Sequence, residues 1–341
     1  MSKSQAPTIT QPKALAVAGQ VANHHSARSA FANYRSRKAK NTIARQENDL
    51  ALFAIFLQVA GVQPGQLNTD PDAWRGITSG LVEAFAKWML AEGYSMGSIN
   101  LRLSTVKTYI RLAFEAGMIE ATEHALIRTV PGYSRKEGQR IDETRETTRR
   151  GTKKAEAVTI TPEEAQKLKA QPDTPQGRRN AMLMGLLLNL GLRVGEVVGL
   201  KVGDVDLKKG TLTFYRAKVD KIQTHELKNG LWAAMQNYFK HDAPKDKDAP
   251  LLRVSVKGGE LSKNGMTRFG IAKRVLELGE VIGIDGLSPH DCRHYWATNA
   301  ARNGTAIDRL QDAGGWASPA MPLRYIEAAA IANESKVFKV E

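Results

Sequence analysis

The sequence predicts a mainly α-helical chain of two domains, with a small β-hairpin in the second domain. Apolar residues recur at helical spacing from about residue 42 to residue 130 and again beyond residue 160. Only one pair of segments, 211–218 and 221–227, alternates between apolar and polar residues as neighbouring strands do. The chain has 341 residues, which is more than one hydrophobic core usually takes. Two separate cores are therefore expected.

The N-terminal segment is basic and poor in large apolar residues. Residues 1–45 carry eight Lys or Arg and no Asp or Glu. Such a composition cannot bury enough apolar surface to fold alone, so we expect residues 1–25 to form a flexible basic arm. The run 14–22 resembles the core of a signal peptide, but it contains a glutamine and lies well inside the chain. We therefore exclude a signal peptide here.

Residues 26–130 are predicted to form a small helical bundle. Leu50, Phe53 and Leu57 share one helix face, and the same spacing recurs in 77–94 and in 98–116. Three or four such helices are enough to enclose a core. The polar segment that follows, 131–158, opens with Pro131 and Gly132 and has almost no large apolar residue. We interpret it as a basic linker between the domains.

The second domain is predicted to span residues 159–341 and to begin with a capped helix. Thr161 and Glu164 form a capping box, with Pro162 at the first helical position. A buried helix over 181–191 and the hairpin follow. Further helices are expected over 229–240, over 263–282, from Ser288 to Gly304, over a short stretch that ends near residue 315, and around Tyr325.

The charge of the chain indicates an anionic polymer as its partner. The formal net charge is +14, and such a surplus of cations favours nucleic acid through phosphate neutralisation. The alternative is a surface that is basic only for solubility. Three basic residues flank the apolar face of the helix over 98–116, where they would reach a phosphate backbone or merely face solvent: Arg102, Lys107 and Arg111.

Several classes of site are excluded by composition. The single cysteine, Cys292, rules out an internal disulfide and any multi-cysteine zinc site, and it is most simply a small buried apolar residue. The sequence contains no P-loop and no HExxH motif. No apolar run approaches the roughly 20 residues that a membrane span requires. We expect a cytoplasmic protein that uses no metal and no cofactor.

A series of residues of types that bind phosphate precedes one tyrosine near the C-terminus. Arg193, Lys218, His290 and Arg293 come first, and Trp316 lies nine residues before Tyr325. His290 and Arg293 are three residues apart, so they share a face near a helix N-terminus, where partial positive charge favours a phosphate. A phenol with a pKa of about 10 needs nearby cations to attack phosphorus.

Three segments resemble the boxes of the tyrosine recombinase, or phage integrase, family. They are GLRVGEVVGLKVGDVDL (191–207), SPHDCRHYWATNAARNG (288–304) and GGWASPAMPLRYI (314–326). The Gly-Gly-Trp form resembles Cre-type members, since most relatives carry histidine in place of Trp316. The helical first domain resembles the family's core-binding domain in position and size.

The resemblance implies a role for each residue of this series. Arg193 and Arg293 would grip the scissile phosphate with bidentate guanidinium contacts. Lys218 would be the general acid for the leaving 5′ oxygen, with Lys221 as the competing choice. Tyr325 would be the nucleophile.

The remaining members of the boxes would assist that reaction. His290 would help proton transfer or hold a phosphate oxygen, and Trp316 would donate its indole N–H, pack in the core, or do both. Glu196 would orient the site, and His294 would support it.

The resemblance further implies a site-specific recombinase in the form of a two-domain DNA clamp. It would cut and rejoin DNA through a 3′-phosphotyrosyl intermediate and a Holliday junction, as a homo-tetramer on two double-stranded DNA duplexes. The tail after Tyr325 would dock on a neighbouring subunit or pack on its own domain. Two alternatives stay open, a type IB topoisomerase that relaxes DNA and a non-catalytic DNA-binding protein.

Overall fold

The structure, a computed structural model, describes residues 11–150 and 157–329. It is mainly helical with small antiparallel sheets, which confirms the fold class predicted from the sequence. The chain divides into two compact units, residues 1–155 and 156–341. Each unit has its own cluster of buried apolar side chains, as the length of the chain led us to expect.

The first unit is a helical bundle built around one central helix. Its helices are α1 (Gln11–Ser36), α2 (Lys40–Val59), α3 (Ser79–Ala91), α4 (Met96–Glu115), α5 (Ala121–Thr129) and α6 (Arg135–Asp142), with a short 3₁₀ turn at Pro71–Trp74. Helix α4 packs against α1, α2, α3 and α5. The core contains stacked and edge-on rings of Phe53, Trp74, Phe85 and Tyr109.

Two segments of the first unit differ from the prediction. The predicted arm is helical from Gln11 onward, because this stretch is rich in alanine. It is the first part of α1, and Phe31 anchors the C-terminal part of that helix in the core. Residues 1–10 lie outside the described residues. The predicted linker contains α6, which opens with a capping box of Ser134 and Glu137. Beyond α6, Arg145 Nη1 donates to the carbonyls of Leu90 and Tyr94 at 2.9 and 3.2 Å, so the chain is tied to the first unit.

The second unit surrounds a helix that is buried on most of its faces. This helix, α8 (Pro175–Asn189), packs against α7 (Pro162–Lys169), α10 (Asn229–His241) and α12 (Pro289–Arg302). The remaining helices are α9 (Val194–Gly199), α11 (Arg268–Val281), α13 (Ile307–Gly314) and α14 (Ala320–Ala329). Residues 330–341, which hold most of the predicted C-terminal tail, lie outside the described residues.

Two small antiparallel sheets complete the second unit. Strands β1 (Val205–Asp206), β2 (Thr211–Arg216) and β3 (Lys221–Glu226) pair in that order, and β2 and β3 form the predicted hairpin. The prediction missed a second hairpin of β4 (Arg253–Ser255) and β5 (Leu261–Gly265).

The second hairpin corrects the predicted start of α11. Residues 263–265 are strand rather than helix, and the helix begins at Arg268, after Thr267 accepts a capping hydrogen bond from the Gly270 N–H. The turn between β4 and β5 contains Gly258 and Gly259 at φ values of 105° and 94°. The strands are short and none of their residues is fully buried, so they lack the apolar alternation that reveals a strand in the sequence.

Candidate active site

One cavity of the second unit gathers the predicted catalytic residues. It has a volume of about 560 Å³ and receives side chains from α9, the β2–β3 turn, α11, α12 and α14. Its lining includes Arg193, Glu196, Lys218, His290, Arg293, Trp316 and Tyr325. Residues that are up to 132 positions apart in sequence thus reach one space.

Arg193 is held at the start of α9 by its neighbours. Its backbone N–H donates to Glu196 Oε2 at 2.8 Å, and its Nη1 donates to Glu196 Oε1 at 2.9 Å. Its Nη2 donates to the Gly315 carbonyl at 2.8 Å. Two residues earlier, Gly191 has a φ of 60°, and a Cβ there would overlap the Trp296 ring. Arg193 therefore forms the ion pair with Glu196 and lines the cavity at the same time.

Arg293 is almost fully buried and lies behind Arg193. Its Nη1 donates to the Gly191 carbonyl, and its Nη2 donates to the Gly314 carbonyl at 2.5 Å. The guanidinium carbon lies 4.5 Å from the centroid of the Trp316 ring. Burial, and then the charge of Arg193, lowers the pKa of Arg293 to about 10, so the group stays cationic at neutral pH.

The structure separates the two lysines between which the sequence left a choice. Lys218 lies in the turn between β2 and β3 and lines the cavity. The turn is shaped by Asp220, which has a φ of 48° and accepts a hydrogen bond from the Tyr215 hydroxyl at 2.6 Å. Lys221 instead pairs with Asp312 at 2.5 Å and lines a different cavity. Lys218 is the lysine that shares a space with Tyr325.

Two histidines lie on the first turns of α12. The helix opens with a capping box in which the Ser288 N–H donates to Asp291 Oδ2 at 2.8 Å. The rings of His290 and His294 are 4.5 Å apart, and the His294 ring is 5.2 Å from that of Tyr325. Burial lowers the pKa of both histidines, and Arg293 adds to the effect. Both are therefore mostly neutral at pH 7, and His290, which lines the cavity, is able to accept a proton.

Tyr325 lies buried on α14 against Trp316, with ring centroids 5.5 Å apart. Its hydroxyl has no hydrogen-bond partner among the described residues. Burial raises the pKa of Tyr325, and the charges of Arg293 and Arg193 act in the opposite direction. Trp316 also stacks on Trp296 at 6.0 Å, so it has the packing role that the sequence offered as an alternative.

Arg216, at the end of β2, is a buried residue beside the site that was not among the predicted residues. This side chain is 0% exposed, and its Nη1 is 3.8 Å from Glu196 Oε1. A signal was available, because Leu212, Phe214 and Arg216 occupy the inward phase of the strand. A charged residue in the apolar phase of an alternating strand is a candidate for a buried functional position. Tyr215, Arg268 and Met321 also line the cavity without having been predicted.

The three basic residues predicted in the first unit have partners within that unit. Arg102 lies 4.8 Å from the Tyr94 ring centroid and 3.9 Å from Asp49. Lys107 donates to the carbonyls of residues 128 and 130 near the end of α5, and burial lowers its pKa. Arg111 pairs with Glu115 on the exposed surface. Contact with DNA by these residues stays a prediction.

The described residues hold neither a metal-binding cluster nor a membrane-spanning helix. Within residues 11–150 and 157–329, no group of three or more His, Cys, Asp or Glu is placed to hold a metal ion. No helix in these ranges is both long and apolar enough to cross a membrane.

Curated relatives of this chain are tyrosine recombinases. It is 34% identical over 165 residues to tyrosine recombinase XerD of Neisseria meningitidis serogroup B, which covers 46% of this chain and 54% of the relative. The chain therefore spans about half the length of that relative. It is 27% identical over 288 residues to tyrosine recombinase XerA of Pyrococcus furiosus, with 84% of each chain covered.

Solved structures share the fold at lower identity. The Tn1549 transposon integrase in complex with circular intermediate DNA superposes with a TM-score of 0.60 at 16% identity, over 92% of this chain and 99% of that one. A lambda integrase dimer bound to a COC′ core site gives a TM-score of 0.58, also at 16% identity, over 91% and 96%. The family profile of phage integrases matches residues 159–330, which is half of the chain and contains every lining residue of the cavity. The chain belongs to the phage integrase family of tyrosine recombinases.

Proposed function

We propose that this chain is a site-specific recombinase that cuts and rejoins double-stranded DNA through a 3′-phosphotyrosyl intermediate. The observation that carries the proposal is the buried Tyr325 hydroxyl, which has no hydrogen-bond partner in the part of the chain that the structure describes. It shares a cavity with Arg193, Arg293, Lys218 and His290. Charged groups fixed in a partly enclosed cavity stabilise a developing phosphorane more strongly than they would in bulk water.

The cleavage step divides among these side chains. Tyr325 Oη forms a bond to phosphorus, and its proton passes to neutral His290. The bond between phosphorus and the 5′ oxygen breaks, and Lys218 gives that oxygen its proton. Arg193 and Arg293 bind the non-bridging oxygens, and Trp316 donates its indole N–H to one of them. The rejoining step reverses these transfers with a 5′ hydroxyl from a second duplex.

The phosphotyrosyl bond conserves the energy of the broken phosphodiester, so we propose that no nucleotide is consumed. Cations of the chain would supply the charge stabilisation that metal ions give in other phosphoryl transfers. We further propose that the two units clamp the duplex and that four copies act on two duplexes through a Holliday junction. Arg102 and Arg111 would contact DNA in the first unit, with a smaller part for Lys107. The proposed resemblance of the site to Cre-type members depends only on Gly314, Gly315 and Trp316.

The first prediction concerns the nucleophile. Tyr325→Phe keeps the ring packing but removes the attacking oxygen, so this variant should bind DNA almost normally and form no covalent adduct. The probe is a nicked, end-labelled duplex that carries the site recovered by selecting random DNA on the wild-type protein. A denaturing gel reports the adduct, in the presence of EDTA and without nucleotide.

Tyr295→Phe is the matched control for this experiment. Tyr295 lies two residues after Arg293 but lines a different cavity, so its loss should leave the adduct intact. An adduct that persists in Tyr325→Phe and disappears in Tyr295→Phe would move the nucleophile to Tyr295.

Joined products from two duplexes distinguish a recombinase from a type IB topoisomerase, which relaxes DNA without exchanging partners. DNA binding without any adduct in the wild-type protein would indicate a non-catalytic protein.

A further inference from the structure

Four consecutive backbone carbonyls at the end of α13, which we name the carbonyl row (residues 312–315), each accept a hydrogen bond from a side chain. The donors and their distances are Gln223 Nε2 to Asp312 at 2.7 Å, Arg216 Nη2 to Ala313 at 2.9 Å, Arg293 Nη2 to Gly314 at 2.5 Å and Arg193 Nη2 to Gly315 at 2.8 Å. The last carbonyls of a helix have no partner within the helix and carry partial negative charge. The three arginine donors satisfy both needs, and the neutral Gln223 supplies a hydrogen bond alone.

The carbonyl row links the two arginines of the cavity to each other. Arg193 and Arg293 come from α9 and α12, yet their guanidiniums meet adjacent carbonyls of one short turn. Trp316 follows the turn directly in sequence. A displacement of the row would therefore move both guanidiniums and the indole together.

Arg216 is the one of the three arginines in this arrangement that does not line the active-site cavity. Its side chain is fully buried beneath Gly315, whose φ of 58° and lack of a Cβ allow the guanidinium to fit. Besides Ala313, its Nη2 contacts His225 Nε2 at 3.3 Å. Its Nε and Nη1 have no hydrogen-bond partner among the described residues. Burial of an incompletely paired cation costs stability, and such a cost calls for a functional explanation.

Arg216 also approaches the carboxylate that orients Arg193. Its Nη1 lies 3.8 Å from Glu196 Oε1, the same oxygen that accepts a hydrogen bond from Arg193 Nη1 at 2.9 Å. Glu196 thus lies between two arginines, and Arg216 restrains it from the buried side. We propose that Arg216 is a positioning residue that holds the carbonyl row and Glu196 in place and thereby sets the geometry of Arg193 and Arg293 toward the scissile phosphate. This proposal rests on the function proposed above.

Substitution of Arg216 tests the proposal with the same nicked duplex. Arg216→Met removes the hydrogen bonds and the charge, and a displacement of about 1 Å in a catalytic group costs on the order of 10²-fold in rate. We expect single-turnover cleavage at saturating DNA to fall by about that factor, while the Kd for DNA changes by less than about threefold. Arg216→Lys keeps the charge and one donor for Ala313, so it should recover part of the rate, to within about tenfold of the wild-type protein.

Arg179→Met is the matched control, because Arg179 is an equally buried arginine of the second unit. It donates to the Arg253 carbonyl at 2.9 Å and to Ser255 Oγ at 3.2 Å, and it does not line the cavity. Its loss should lower stability but leave the cleavage rate per folded molecule unchanged. Thermal unfolding of each variant gives the folded fraction, and Arg216→Lys decides the question if Arg216→Met does not fold.

A double-mutant cycle distinguishes positioning from a general loss of structure. In an Arg193→Lys background, where the geometry of the guanidinium is already lost, Arg216→Met should cost much less than it does in the wild-type background. The proposal would be overturned if the rate losses of Arg193→Lys and Arg216→Met simply multiply in the double variant. It would also be overturned if both Arg216 variants cleave at the wild-type rate, or if Arg179→Met loses as much cleavage rate as Arg216→Met. Failure of the wild-type protein to form an adduct would instead reject the proposed function.

Discussion

At the scale of single residues, burial and neighbouring charge act against each other at Tyr325. Burial raises the pKa of this phenol, whereas Arg293 and Arg193 favour its ionised form. The hydroxyl therefore stays protonated at neutral pH until a base takes its proton. His290 is suited to that task because its pKa is lowered, which leaves it neutral where a solvated histidine would already be partly charged.

This arrangement predicts the pH dependence of cleavage. Because the pKa of His290 is lowered from 6.5, the imidazole gains its proton only below that value. The single-turnover rate should hold steady from pH 8 down to pH 7 and fall only below about pH 6.5. A pH–rate profile of His290→Asn should lie lower and lack this acid limb, and His294→Asn is the control for the neighbouring ring. An unchanged limb in His290→Asn would assign the proton transfer to another group.

The arginines and Trp316 should differ in what their loss costs. Arg193→Ala or Arg293→Ala removes a charge from the developing phosphorane and should slow cleavage on the order of 10³-fold or more. Trp316→Ala removes one neutral donor and should cost roughly 10–100-fold. Trp316→His should retain most activity because an imidazole N–H replaces the indole donor.

The measurement is single-turnover cleavage of the nicked duplex by these four variants. If folded Trp316→His is as inactive as Arg293→Ala, then Trp316 acts through its packing on Trp296 and Arg293 instead.

At the scale of elements, the site depends on how short turns place the ends of helices and strands. The turn from α13 into Trp316 passes over Arg216, and the turn from α8 into Arg193 passes over Trp296. Both turns use a glycine with a positive φ, Gly315 at 58° and Gly191 at 60°. A side chain at either position would meet a strained backbone and a filled space.

Gly315→Ala should therefore lower both stability and cleavage. The left-handed backbone costs a non-glycine residue about 1–2 kcal/mol, and the added Cβ would overlap the Arg216 guanidinium. We expect a loss of unfolding free energy of at least that size in chemical denaturation. Gly199→Ala is the control, since a Cβ there meets nothing within 4 Å and the glycine has no positive φ. Equal stabilities for the two variants would contradict this account of the turn.

At the scale of the whole molecule, charge is the property that the chain presents to a partner. The formal net charge of +14 belongs to both units, and cations are also concentrated at the cavity. Binding to DNA should then depend on the release of counterions. The observed binding constant should fall with salt on a log–log plot, with a slope of about −0.9 for each phosphate contacted.

Binding measured by fluorescence anisotropy between low and physiological salt tests this expectation. Tyr325→Phe is a suitable protein for the titration, because it cannot form the adduct and so reports binding alone. A slope near zero would exclude a nucleic acid backbone as the main contact.

The helical class, the second domain and several of the side chains around Tyr325 could be predicted from the amino-acid sequence. These features can be read along the chain. They depend on the periodicity of apolar residues, on the capping box at Thr161 and on the order of the three segments 191–207, 288–304 and 314–326. The same local reading failed where propensity and polarity conflict. It assigned an arm to the start of α1, where alanine favours a helix, and a linker to α6, which opens with a capping box and is followed by an arginine that is bonded to the first unit.

The lysine that enters the cavity and the arginine that lies behind it depend on tertiary packing. Lys218 and Lys221 are three residues apart, and the bend at Asp220 directs them into different cavities. Arg216 meets the carbonyl of residue 313 across 97 positions of sequence. Such contacts depend on how separate elements pack, and packing is a property of the whole core that no local pattern of residues specifies.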